Sequence, residues 1–290
     1  MIELLESNPY FLIGSTVLLG LLIGSFLNVV IYRLPIMMER SWTEQCHDFL
    51  SADKETSSQE TEGTTEPFDL MRPRSRCPQC GHKITALENI PVISYLLQQG
   101  KCRGCKTSIS PRYPIIELIT AIMSAVVVWK LGFTWAGLFG LFFTWAMITL
   151  TMIDFDHQLL PDDITLPLVW LGLLLSLGTV FSTPTDAILG ACAGYLSLWL
   201  IFHLFKLITG KEGMGYGDFK LFAVFGAWFG WQCLPLILLL SSVVGAIVGI
   251  ALIVIKGRDK NIPIPFGPYL ACAGWIYLLW GNAIIETYLN

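Results

Sequence analysis

Long apolar runs separated by short polar connections dominate this chain. Eight of the runs are candidates to cross a bilayer, which takes roughly 17–25 residues of α-helix. They cover residues 10–32, 114–132, 134–153, 164–181, 187–207, 219–232, 234–255 and 266–284. The pattern therefore predicts an all-α, polytopic membrane protein with about eight transmembrane helices.

Composition supports a membrane protein and excludes other classes. Apolar residues make up 54% of the chain and charged residues only 14%, whereas soluble domains carry about 25% charged residues. The net charge of -4 is small, and no basic stripe predicts nucleic-acid binding. The acidic start MIELLESNPY lacks the positive region of a cleavable signal peptide. Membrane lipid is the predicted surrounding of the chain.

The basic residues predict an orientation. If the N-terminus lies outside, 17 of the 18 lysines and arginines fall in inside segments, and only Lys130 falls outside. Positive residues favour the cytoplasmic side, so we expect both termini outside and one large cytoplasmic loop. The predicted divisions are 1–33 (N-terminal end and first helix), 34–113 (cytoplasmic loop domain) and 114–290 (seven-helix membrane domain).

The end of the first helix and the start of the loop carry polar residues. In GSFLNVVIYRLP, Gly24 permits close helix packing, and Asn28 is expected to hydrogen-bond a neighbouring helix. Arg33 is interpreted as a snorkelling residue at the cytoplasmic interface. Residues 41–70 are rich in Ser, Thr and Glu and are predicted to be a mobile insertion without a core.

Two CxxC pairs lie 21 residues apart in this loop, as Cys77, Cys80, Cys102 and Cys105. This spacing is typical of a tetrahedral thiolate site, so the loop is predicted to bind one structural zinc ion. Two redox pairs are the alternative, which a reducing cytoplasm disfavours. The isolated cysteines are interpreted as small packing residues. These are Cys46, Cys192, Cys233 and Cys272.

Carboxylates follow the third apolar run in IDFDHQLLPDD. Acids at the end of a membrane helix are costly and are therefore functional candidates. Asp154 and Asp156 point about 200° apart on a helix, so at most one faces a given site. Asp162 and Asp163 are expected to cap the next helix.

A second acid follows a glycine-rich loop in GMGYGDFK. Gly215 and Gly217 leave room for an extended substrate backbone beside Asp218. Lys220 either contacts the substrate or anchors the helix in lipid headgroups. Asp154 and Asp218 are both predicted at the cytoplasmic end of the bundle. A carboxylate pair that shares one proton can activate water for hydrolysis of a peptide bond.

Several motifs together resemble one family, the bacterial type IV prepilin peptidases, also called leader peptidase/N-methyltransferases. GYGD at 215–218 is similar to the GxGD signature of intramembrane aspartyl proteases. The other shared motifs are IDFDHQLLPD, the two CxxC pairs, GSFLNVVIYRLP and PIPFGPYL. The resemblance covers nearly the whole chain in the same order.

This resemblance implies an enzyme of the bacterial inner membrane with periplasmic termini. Its members cut the short basic leader from type IV prepilins and type II secretion pseudopilins, which are thus the implied protein partners. The cut follows a glycine, and a hydrophobic helix comes directly after it. The members then methylate the new N-terminus with S-adenosylmethionine. Carried over by motif, the catalytic pair is Asp154 and Asp218, with Asp156 as the fallback, and the four paired cysteines bind the zinc ion. The methyl-donor site is expected in the large loop.

Two other functions compete with this prediction. A non-catalytic membrane assembly factor would use the metal loop to bind secretion components, and its acids would be structural. A transporter with a carboxylate proton relay would need acids at helix midpoints or an internal repeat, whereas the acids here cluster at helix ends.

Overall fold

The computed structural model describes residues 8–52, 68–211, 213–256 and 264–289, and these ranges are mainly helical except for residues 68–111. Their α-helices are α1 Pro9–Ala52, α2 Ile93–Leu97, α3 Arg112–Leu131, α4 Trp135–His157, α5 Asp162–Leu177, α6 Pro184–Thr209, α7 Tyr216–Phe229, α8 Leu234–Lys256 and α9 Gly267–Leu289. Short 3₁₀ helices occupy Leu87–Asn89 and Trp231–Cys233. No β-strand occurs in the described ranges, so the all-α prediction is confirmed.

Five of the helical segments are long and apolar enough to cross a membrane. They are Pro9–Leu50, Arg112–Leu131, Trp135–His157, Pro184–Thr209 and Trp231–Ile255. The chain is therefore a polytopic membrane protein. Helices α5 and α7 have only 16 and 14 residues, and the total of eight spans stays a prediction.

Helix α1 is much longer than its apolar run. It continues for 44 residues to Ala52 and contains Pro35 without ending there. The mobile insertion predicted for 41–70 is therefore wrong for residues 41–52, which continue the helix. Side chains such as Thr43, whose hydroxyl donates to the Glu39 carbonyl at 2.8 Å, stabilise these turns locally. Residues 53–67 of the predicted insertion lie outside the described residues.

The chain divides into two compact units. The helical unit comprises Met1–Val17 and Ile122–Asn290, and the cysteine unit comprises Leu18–Ala121. The domain boundaries that the charge pattern predicts, at residues 33 and 113, stay a prediction.

Helix α7 lies at the centre of the helical unit. Its residues from Leu221 to Phe229 are all buried. Glycines bring α6 against it: a Cβ on Gly194 would lie 2.8 Å from the carbonyl oxygen of Phe222. On another side, the Trp228 indole N–H donates to the Leu168 carbonyl of α5 at 2.8 Å. These contacts fix the helix that carries Asp218 in its first turn.

In the cysteine unit, α1 and α3 pack closely. A Cβ on Gly24 would lie 2.7 Å from the Cα of Glu117, which confirms the close packing predicted at Gly24. The Asn28 amide donates to the Tyr113 carbonyl of α3 at 3.2 Å, so the predicted bond to a neighbouring helix is also confirmed.

Arg33 does not snorkel. It is only 7% exposed, and its guanidinium donates to the carbonyls of Asp69 at 2.8 Å and Pro73 at 2.6 Å. Backbone carbonyl oxygens, rather than lipid headgroups, thus bind its positive charge. The contact ties the segment before the first CxxC pair to α1.

Candidate active site and metal centre

Asp154 lies in the last turn of α4 and is 5% exposed, although it is a carboxylate. The helix ends three residues later at His157, and the next residue, Gln158, adopts the left-handed conformation (φ 53°) and donates its N–H to the Asp154 carbonyl. Asp156, which the helical period places on another side, is exposed. Of these two acids, only Asp154 faces the interior of the helical unit.

Asp218 lies in the first turn of α7 and is 6% exposed. Gly215 immediately precedes this helix, and its N–H donates to Oδ2 of Asp218 at 3.2 Å. The other carboxylate oxygen, Oδ1, is buried and has no hydrogen-bond partner among the described residues. A buried carboxylate oxygen without a partner is costly, so this atom is available for a proton, a water molecule or a substrate.

A third segment, at the start of α9, contacts Asp154. The N–H of Gly267 donates to Oδ2 of Asp154 at 3.0 Å. The side chain of Leu160 fills the space between this segment and the α7 loop: a Cβ on Gly217 would lie 2.7 Å from Leu160 Cβ, and one on Gly267 would lie 3.2 Å from Leu160 Cδ2. The charges of Asp154 and Asp218 repel each other. The fold therefore brings the two acids together around one leucine.

Lys220 binds Asp162. Its Nζ lies 2.6 Å from Oδ1 and 2.7 Å from Oδ2 of that carboxylate, so α7 and the start of α5 are joined by an ion pair. The predicted contact of Lys220 with the substrate stays a prediction. The capping prediction for Asp162 and Asp163 is wrong in detail, because Pro161 is the N-cap and no side chain caps the helix.

The four paired cysteines form one cluster in the cysteine unit. Their Sγ atoms all lie within 4.8 Å of one another, with Cys77–Cys105 at 3.8 Å and Cys80–Cys102 at 3.9 Å. A tetrahedral zinc with Zn–S bonds of about 2.3 Å would separate its sulfurs by about 3.8 Å. The donor set and its spacing therefore fit one metal ion.

Hydrogen bonds divide the thiols into two kinds. The hydroxyl and backbone of Thr107 lower the pKa of Cys105 to about 6. At Cys80, a hydrogen bond from the His82 backbone lowers the pKa of the thiol. Burial and the neighbouring sulfurs raise it by a larger amount, so that the pKa is about 11. A metal ion that binds all four sulfurs must therefore displace protons.

His82 binds a carboxylate beside the cysteine cluster. Its Nε2 lies 3.2 Å from Oε1 of Glu88, and that carboxylate also accepts a hydrogen bond from the Thr85 N–H at 2.9 Å. The candidate metal ligands are therefore the four cysteines, and His82 binds Glu88 instead.

Glu117 is a buried carboxylate that the sequence reasoning missed. It lies in α3, is 8% exposed and accepts a hydrogen bond from the Val92 N–H at 2.8 Å. Val92 has a positive φ of 61°, an unusual conformation for a β-branched residue, so the contact holds a strained turn. An acid within an apolar helical run was the available signal.

Among the isolated cysteines, the packing prediction holds only for Cys233, which is buried. It is wrong for Cys46, Cys192 and Cys272, which lie on outward helix faces and are exposed.

Two protein-family models match this chain. A family model described as the bacterial peptidase A24 N-terminal domain matches residues 18–131, and that of the type IV leader peptidase family matches residues 141–250. No solved structure matches the chain.

Curated relatives match over the full length. A prepilin leader peptidase/N-methyltransferase of Stutzerimonas stutzeri is 52% identical over 289 residues, which is 100% of this chain and 98% of the relative. One from Pseudomonas aeruginosa is 53% identical over 290 residues, with the same coverage. One from Neisseria gonorrhoeae is 48% identical over 94% of this chain and 92% of the relative. The chain therefore belongs to the type IV leader peptidase family.

Proposed function

We propose that this protein is an aspartyl endopeptidase that removes the leader from type IV prepilins and pseudopilins and then methylates the new N-terminus. One observation carries the peptidase half. Asp154 and Asp218 are buried, come from different helices, and each binds a glycine N–H at a helix start. The relatives bear the names of both activities.

The two acids divide the chemistry of peptide hydrolysis. Two adjacent carboxylates do not both ionise readily, so the pair holds one proton. The ionised acid takes a proton from water, whose oxygen bonds to the peptide carbonyl carbon. The other acid gives its proton to the departing amine nitrogen as the C–N bond breaks. The unpartnered Oδ1 of Asp218 is the atom that we assign to the water or the substrate carbonyl.

Glycines beside the acids give the substrate access. Gly215 is exposed and Gly217 is partly exposed, and neither carries a side chain over Asp218. We assign the approach of an extended peptide backbone to the side of Gly215, because Gly217 packs against Leu160. Lys220 holds α7 to Asp162, and we propose that it positions the site in this way in addition to its predicted contact with the substrate.

The metal and methylation assignments extend the proposal. We assign one structural zinc ion to Cys77, Cys80, Cys102 and Cys105, because the sulfur separations fit tetrahedral zinc. S-adenosylmethionine would supply the methyl group. No strand-to-helix glycine turn of a nucleotide site occurs in the described residues, so no residue is assigned to that donor. The charge pattern supports the further proposal that the cysteine loop and the acids lie on the cytoplasmic face of the inner membrane, with both termini in the periplasm.

The test uses purified enzyme in lipid with a prepilin substrate and follows the leader by mass. Asp154→Asn and Asp218→Asn should abolish cleavage, while Asp156→Asn, on the exposed side of the same helix, should cleave like wild type. With S-adenosylmethionine, the wild-type product should gain the mass of one methylene group. Cleavage by both Asp154→Asn and Asp218→Asn would refute the aspartyl mechanism. An inactive wild type would favour a non-catalytic assembly factor.

A further inference from the structure

An apolar groove of about 400 Å³ opens beside the two acids in the helical unit. Its walls come from α6, α8 and the segment that leads into α9. Its lining consists mainly of aliphatic and aromatic side chains, including Leu198, Ile201, Phe266 and Tyr269. The volume lies within the range of about 300–1,000 Å³ that is typical of ligand pockets. It is large enough for several apolar side chains.

Two residues that line the groove are chain neighbours of the two glycines that bind the acids. Met214 lines it and immediately precedes Gly215, whose N–H binds Asp218. Phe266 lines it from the other side and immediately precedes Gly267, whose N–H binds Asp154. Each acid is thus one short step of backbone from the groove.

Small residues on α8 keep the groove open. Gly245 and Ala246 line it, and Ala246 is exposed. At Gly245, a Cβ would lie 3.2 Å from Cδ2 of Tyr269, so the tyrosine ring closes the floor there. A side chain at Ala246, by contrast, would project into the open part of the groove.

We propose that this groove binds the apolar side chains that directly follow the scissile bond of the peptide substrate. This inference rests on the proposed function. It assigns the apolar segment that follows the scissile bond to one surface of the enzyme. The basic leader cannot occupy the groove, because burying unpaired positive charge among apolar side chains is costly. The groove therefore also fixes the direction in which the substrate lies across Asp154 and Asp218.

The first experiment is site-specific photo-crosslinking in an Asp218→Asn background, which keeps the substrate intact. Benzoylphenylalanine replaces Ala246, which lines the groove, or Val244, which is 45% exposed on the opposite face of α8. The probe is a peptide with a basic leader, a glycine and a 20-residue apolar segment, in phosphatidylethanolamine/phosphatidylglycerol vesicles. Ala246 should crosslink to the first few residues after the glycine, and Val244 to lipid. Crosslinks from Ala246 to phospholipid alone, or to the leader, would overturn the proposal.

The second experiment measures cleavage kinetics with two substrates. Ala246→Trp should raise KM for the full peptide at least tenfold with little change in kcat. A short peptide that ends two residues after the bond should be cleaved equally by Ala246→Trp and wild type. Val244→Trp is the matched control and should leave both substrates unaffected.

The two proposals fail in different ways. If wild type cleaves the full peptide and Ala246→Trp has the same KM, the groove assignment is wrong while the proposed function stands. If wild type cleaves neither peptide but Ala246 crosslinks to the apolar segment, the groove stands and the peptidase assignment fails.

Discussion

The N–H of Gly267 donates a 3.0 Å hydrogen bond to Oδ2 of Asp154, which lies 113 residues earlier in the chain. Gly215 makes the equivalent contact with Asp218, but across only three residues. Both acids are therefore oriented by the backbone at the start of a helix, where unpaired N–H groups favour negative charge. The same fold element serves each acid, although one contact is local and the other is long-range.

Gly267→Ala should strongly reduce cleavage. The added methyl would lie 2.6 Å from Oδ2 of Asp154 and 3.2 Å from Leu160, so the carboxylate must move. We expect kcat to fall at least tenfold while helix content by circular dichroism is unchanged. Gly14→Ala is the control, because no atom lies within 4 Å of its added methyl. Wild-type kcat in Gly267→Ala would show that this contact does not position the acid.

Leu160 should control the separation of the two acids. Its side chain is 7% exposed and fills the space between Gly217 and Gly267. Leu160→Ala leaves a cavity there, so we expect kcat to fall at least tenfold and the pH profile of cleavage to change shape, since the acids share a proton. Leu166→Ala, at a site that is 44% exposed, should change neither. A lower kcat with an unchanged pH profile would indicate a general loss of stability instead.

Short-range features of the site could be predicted from the sequence, because they depend on residues close along the chain. The two CxxC pairs each form a local turn, and their separation is typical of one metal site. Asp218 with its glycine loop is equally local. The helical period also showed that Asp154 and Asp156 could not share a site, although burial was needed to choose between them.

Long-range contacts could not be predicted in the same way. Nothing in the residues near Lys220 indicates that its partner is Asp162, which lies 58 positions away. Arg33 looked like an interface residue because its partners are backbone carbonyls, which carry no sequence signal. The helix over residues 41–52 was missed because its composition is that of a polar linker, while its continuity comes from the preceding helix.

The ion pair between Lys220 and Asp162 distinguishes positioning from substrate binding. The side chains are 28% and 50% exposed, so neutralising one by Asp162→Asn should lower the free energy of unfolding by roughly 0–1 kcal/mol. Since this loss is small, kcat should fall at most about fivefold. Asp162→Lys places two positive charges together and should cost more. Adding Lys220→Asp to that variant should restore cleavage to near wild type. If Lys220 instead contacts the substrate, the exchanged pair will stay impaired, with a raised KM.

Metal content should depend on the paired cysteines alone. Wild type should hold one equivalent of zinc by mass spectrometry, and Cys77→Ser or Cys105→Ser should lower this value well below one, because each removes a thiolate from a four-sulfur cluster. Structural zinc contributes roughly 10–16 kcal/mol of binding free energy in small sites, so hydrogen exchange in residues 77–109 should accelerate in both variants. Cys46→Ser, at an exposed site outside the cluster, should keep one equivalent and wild-type exchange. Full zinc content in the Cys77 and Cys105 variants would show that the metal binds elsewhere.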